Sequence, residues 1–113
     1  MYKRQTSADR LAADGISAEV VDLRCLIPMD LTTVLASVEK TSRLITVEEN
    51  PLQGGWGATV VSVVVDEGFQ LLDAPVRRVA SANVPLPFAD TLEDEVIPTA
   101  DKVIAAVTSV VNF

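Results

Sequence analysis

The stretch RLITVEENPLQGGWGATVVSVVVDEGFQLL, residues 43–72, decides the fold. Its first part, residues 43–49, predicts a β-strand, because Leu44, Ile45 and Val47 form a short apolar run. The glycines and the proline of residues 50–57 then predict a loop. A strand and a loop followed by a long apolar segment are typical of a β-α unit.

The apolar segment at 58–72 admits two interpretations. Five of residues 60–65 are valine, which by propensity alone favours a strand. The length of the segment and its glycine-rich entry favour a buried helix instead. We therefore predict a helix over 58–72.

The segments on both sides continue the alternation of helix and strand. Gly15 is a suitable helix stop, and Asp30 and Thr99 are suitable N-caps. The further predicted elements are a helix end over 8–15, a strand over 17–24, a helix over 31–40, a strand over 75–81, one helical turn at 89–94 and a helix over 100–112.

Three predicted strands make a thin sheet for a parallel α/β fold, in which the strands are normally buried on both faces. The helix that ends near Gly15 also has no strand before it, although a β-α unit requires one. We therefore predict a single α/β domain over residues 1–113 that lacks its first strands.

Composition limits the possible functions. Nine Lys and Arg against sixteen Asp and Glu give a net charge of −7, so the chain lacks the basic face that nucleic acids and anionic membranes require. The most apolar window, residues 56–65, is too short to span a bilayer. The N-terminus does not resemble a secretory signal. The mean hydropathy is +0.32, and we expect a soluble intracellular domain that buries apolar surface internally or against a partner.

Histidine is absent, which removes Ser-His and Cys-His nucleophile pairs and imidazole metal ligands. The one cysteine, Cys25, excludes an intrachain disulfide. Because Leu26 and Ile27 follow it, we expect a buried, inert thiol. Any acid–base chemistry would therefore fall to carboxylates, lysines or the one tyrosine, Tyr2.

Four segments together resemble the C-terminal domain of the transketolase superfamily. They are EVVDLRCLIPMD (19–30), SVEKTSRLITVEENPLQGGWGA (37–58), LLDAPVRRVA (71–80) and NVPLPFADTLEDEVIP (83–98). Within that superfamily they look most like the β subunit of the pyruvate and branched-chain 2-oxo acid dehydrogenases. The resemblance runs from about Ala8 to the last helix.

The resemblance implies a three-layer α/β/α domain with a mostly parallel sheet, in which further strands precede the segment matching residues 8–15. The parent enzyme would be an oxidoreductase that decarboxylates a 2-oxo acid on thiamin diphosphate and magnesium and acylates a lipoyl group. The resemblance places the cofactor in a domain outside this chain. It therefore implies no catalytic, cofactor-binding or metal-binding residue within these 113 residues, and this fragment alone is expected to be inactive. Its expected partners are the α subunit, a second β subunit and the peripheral-subunit-binding domain of the dihydrolipoyl acyltransferase.

The loop before the predicted helix contains the residues closest to a ligand-site pattern. Gly54, Gly55 and Gly57 could bind a phosphate at a helix N-terminus, but they lack the known nucleotide-loop spacings. We interpret them as allowing a tight turn and close packing. Glu48 and Glu49 are adjacent on a strand and should therefore point to opposite faces.

Two further groups are interface candidates. Trp56, a loop tryptophan between glycines, is either a buried anchor or an interface residue. The other candidates are a proline-stiffened apolar loop, Pro85, Leu86, Pro87 and Phe88, and an acidic stretch, Asp90, Glu93, Asp94 and Glu95, which could dock a basic partner or simply face solvent.

Two alternatives stay open. The same domain occurs in other thiamin enzymes, such as transketolase and deoxyxylulose-phosphate synthase. A stand-alone flavodoxin-like module could instead bind a small ligand at residues 50–57. The sequence does not distinguish pyruvate from branched-chain 2-oxo acids or acetoin. It also does not distinguish a bacterial cytoplasmic location from the mitochondrial matrix.

Overall fold

The computed structural model describes residues 2–84 and 95–113. The elements, in chain order, are α1 (Tyr2–Ala13), α2 (Leu31–Thr41), β1 (Ile45–Pro51), α3 (Trp56–Gly68), a 3-10 turn (Phe69–Leu71), β2 (Arg77–Ser81) and α4 (Ala100–Val111). Within the described residues, no helix is long and apolar enough to cross a membrane.

The two strands are parallel, with Ile45 opposite Arg77 and Val47 opposite Val79, and the pairing becomes irregular towards Pro51. In the part of the chain that the structure describes, the sheet consists of these two strands. Helix α2 packs on α3, and α3 packs on β1. Helix α1 packs on α4, and α4 packs on both strands. This layered arrangement confirms the predicted α/β fold with a truncated sheet.

Helix ends lie close to where the sequence predicts them. The Thr33 backbone N–H donates to the Asp30 carboxylate at 3.1 Å, and the Lys102 backbone N–H donates to the Thr99 hydroxyl at 3.3 Å, so both predicted N-caps are confirmed. Gly15 has a φ of +82° after α1, a conformation that glycine adopts without steric cost. The helix interpretation of residues 58–72 is also correct, although α3 begins at Trp56 and ends at Gly68.

Buried valines hold α2 against α3. Val34 and Val38 of α2 pack with Val60 and Val64 of α3, at the four-residue spacing that places two side chains on one helix face. Each of these side chains is at most 5% exposed. Their burial explains why a valine-rich segment forms a helix here: tertiary packing outweighs the intrinsic preference of valine for strands.

The predicted strand over 17–24 is wrong. The structure assigns no strand to residues 16–25, and Val20 is 42% exposed. A strand exists only through backbone pairing with a neighbour. Among the described residues, the sheet pairs β1 with β2 and does not include this segment. The apolar pattern is therefore present without the neighbour that would complete it.

Candidate functional site

Glu48 is the centre of a buried polar cluster where β1 meets the start of α3. Its side chain is 0% exposed, and its Oε1 accepts a hydrogen bond from Arg78 Nη2 at 2.8 Å. The same oxygen accepts from the Gly57 backbone N–H at 3.1 Å. We call Thr46, Glu48, Gly57 and Arg78 the junction cluster. It joins both strands to the N-terminus of α3.

The pleat of β1 explains how Glu48 reaches this position. Alternate residues of a strand face the same side, so Thr46 and Glu48 both point towards α3, whereas Glu49 is exposed. The prediction that the two glutamates do not converge is confirmed. A pair of adjacent carboxylates for acid–base chemistry is not formed here.

The glycines allow the close approach of α3 to β1. A Cβ on Gly55 or Gly57 would lie 2.6 Å from a Glu48 carboxylate oxygen, closer than such atoms can approach. Gly54 has a φ of +81°, which a turn made by glycine accommodates. The Glu48 carboxylate occupies the positive end of the α3 dipole, where a phosphate would otherwise bind. This geometry supports the packing interpretation of the glycines and gives the ligand-module alternative no support.

The carboxylate of the junction cluster is hydrogen-bonded within the cluster. Arg78 and the Gly57 N–H hold the Glu48 carboxylate, and the Asn50 side chain lies 3.4 Å from its second oxygen. Thr46 Oγ1 and Arg78 Nε are buried without a hydrogen-bond partner, as groups bridged by an internal water would be. We interpret the junction cluster as structural, because it connects β1 and β2 to the start of α3.

The described residues do not bring a set of metal-ligand side chains together. Across residues 2–84 and 95–113, no three Cys, Asp or Glu side chains group as metal ligands, and the anion position at the α3 N-terminus is taken by Glu48. That this chain binds neither metal nor cofactor stays a prediction.

Trp56, the first residue of α3, is half-buried and packs against the valine core between α2 and α3. This contact favours the anchor interpretation of Trp56. The other predicted interface residues fall largely outside the described residues, namely Pro85, Leu86, Pro87, Phe88, Asp90, Glu93 and Asp94. Glu95 is described and exposed, and its carbonyl accepts from Lys102 Nζ at 2.8 Å.

Cys25 corrects a prediction. The thiol is exposed, not buried, and its Sγ lies 3.3 Å from the Ile27 carbonyl. The apolar neighbours Leu26 and Ile27 do not cover it, because they are themselves 45% and 92% exposed. Residues 24–28 are all exposed, whereas Val21 and Leu23 just before them pack against the core.

Sequence reasoning did not anticipate a large cleft beside β1. Its volume is about 640 Å³, and the two walls are residues 16–26 and β1. Apolar side chains from both helix layers close it above and below. They are Val34, Val60, Val103, Val107 and Val110. We call this space the strand cleft. The sequence feature that pointed towards it was the small number of predicted strands, three, for a parallel sheet.

Comparisons with known proteins give the family. The model described as "Transketolase, C-terminal domain" matches residues 1–103. The pyruvate dehydrogenase E1 component subunit β-2, mitochondrial, of Oryza sativa subsp. japonica is 49% identical over 100 residues, which are 88% of this chain and 27% of that protein. The β subunit of the acetoin:2,6-dichlorophenolindophenol oxidoreductase of Bacillus subtilis is 40% identical over 99 residues, which are 88% of this chain and 29% of that protein.

A solved structure gives the same result. The protein described as "Split gene transketolase, inactive beta4 tetramer" superposes with a TM-score of 0.83 at 32% identity, over 98% of this chain and 35% of that one. The chain thus spans about a third or less of the proteins it matches. With the helix–sheet–helix fold, the glycine-dependent junction of β1 and α3 and these matches taken together, the chain belongs to the transketolase C-terminal domain family.

Proposed function

We propose that this chain is the C-terminal domain of the β subunit of a thiamin-diphosphate-dependent 2-oxo acid dehydrogenase, with pyruvate as its substrate. The observation that carries the proposal is the 49% identity over 100 residues to the Oryza pyruvate dehydrogenase β subunit. The domain assembles and docks subunits. Oxidative decarboxylation and acyl transfer to lipoyl groups belong to the whole enzyme, with the cofactor held elsewhere.

The distribution of polar and apolar groups supports an assembly role. The buried carboxylate of the junction cluster is engaged within the chain. Large apolar side chains lie at the surface instead, with Ile27 92%, Phe69 69% and Phe113 76% exposed. Contact with a partner subunit would remove this apolar surface from water.

The proposed partners are an α subunit, a second β subunit and the peripheral-subunit-binding domain of the acyltransferase. The superposed transketolase is described as a β4 tetramer, which supports assembly between β chains. The net charge of −7 favours docking to a basic module, since opposite charge speeds encounter. The proposed location is the cytoplasm in a bacterium and the mitochondrial matrix in a eukaryote. The Oryza relative is described as mitochondrial.

A second candidate function is supported by the Bacillus relative. At 40% identity, it keeps acetoin open as the substrate of the parent enzyme. The transketolase match at 32% identity gives weaker support to a transketolase-type parent. In each case this domain would have the same assembly role.

A chimera tests the proposal. The matched 100 residues of the Oryza β subunit are replaced by those of this chain, and the protein is assembled with its α subunit. We expect pyruvate-dependent reduction of 2,6-dichlorophenolindophenol within about tenfold of the parent rate, about 1.4 kcal/mol in barrier height. We also expect the parent's preference for pyruvate over acetoin, because the substrate site lies outside this domain.

The matched control is the Oryza β subunit with the same 100 residues deleted, which should show no turnover. A chimera that fails to assemble with its α subunit would contradict the assembly role, and a chimera that assembles but is inactive would show that the domain contributes more than assembly. A chimera whose preference shifts to acetoin would show that this domain carries substrate specificity, and would favour the second candidate.

A further inference from the structure

We draw no further inference here: the strongest candidate, the exposed surface patch at the C-terminal end of α3 where Val65 and Phe69 lie beside Asp66 and Glu67, fits a basic partner and so restates the docking already proposed for this domain.

Discussion

Glu48 shows how far single residues could be predicted. The sequence placed it on a strand, opposite in direction to Glu49, and the structure agrees. Its partner Arg78 lies 30 positions away in the sequence, and no local pattern links the two. The requirement for glycine at Gly55 and Gly57 was predicted as close packing. The group they pack against, the Glu48 carboxylate, was not predictable from local sequence.

Removing the charge of Glu48 should destabilise the domain strongly. Glu48→Gln leaves the Arg78 guanidinium without its counter-ion, and breaking a buried pair in this way costs about 3 kcal/mol in free energy of unfolding. The amide oxygen can still accept from the Gly57 N–H, which keeps the loss at the low end for such pairs. Urea unfolding measures the change. Glu39→Gln, exposed on α2, should change the free energy of unfolding by less than about 0.5 kcal/mol. Equal losses for Glu48→Gln and Glu39→Gln would show that the buried ion pair does not stabilise the domain.

Gly57→Ala tests the close approach of α3 to β1. The new Cβ would lie 2.6 Å from Glu48 Oε1, 2.8 Å from Thr46 Oγ1 and 2.9 Å from Arg78 Nε. Overpacking of this kind costs about 1–3 kcal/mol, more than the gain of up to about 1 kcal/mol in helix propensity.

The matched control for this substitution is Gly68→Ala at the other end of α3. Its nearest contact is the flexible Leu35 Cδ2 at 3.1 Å, so the loss in unfolding free energy should be clearly smaller. The two variants are compared by urea unfolding under the same conditions. If Gly57→Ala proves the milder change, the glycines are not needed for packing.

At the scale of elements, local signals predicted the helices and misled at one strand. Caps such as Asp30 and Thr99 fix helix starts through short-range hydrogen bonds, so sequence reveals them. A strand depends on a distant neighbour, so an apolar run such as residues 17–24 predicts only the capacity to pair. β1 and β2 are strands because they pair with each other.

The attachment of residues 16–25 to α2 should depend on pH. The Ser37 hydroxyl and then the Lys40 ammonium hold the pKa of Glu19 below its ordinary value of 4.5. A carboxyl with a lowered folded-state pKa stabilises above the unfolded value, and that stabilisation is lost as the pH falls through the folded-state pKa. Glu19→Gln should therefore be less stable than the native chain at pH 7, and the difference should shrink below pH 4.5.

The thermal midpoints of both proteins between pH 7 and pH 3 measure this prediction. The effect should be small, since the pair is exposed and screened by solvent. Glu39→Gln is again the matched control. Its thermal midpoint should differ from that of the native chain by the same small amount at every pH. If the stability difference between Glu19→Gln and the native chain instead grew as the pH fell, the contact of Glu19 with Ser37 and Lys40 would not stabilise the domain in its charged form.

At the scale of the whole molecule, the sequence predicted an incomplete sheet, and the structure places the gap. The count of three strands indicated that the fold lacked part of its sheet. Only the three-dimensional arrangement shows that the space lies between β1 and residues 16–26, closed by valines from two helix layers. The interface residues at 85–94 lie outside the described residues, so their role stays a prediction.

Assembly in trans tests the central claim most directly. The Oryza β subunit without its matched 100 residues is co-expressed with its α subunit and with this 113-residue chain, and the product is weighed by native mass spectrometry. We predict one complex containing all three chains, with equal numbers of this chain and of the truncated β subunit. A complex of the other two chains that excludes this chain, with this chain found only by itself, would contradict its assignment as the assembly domain of a β subunit.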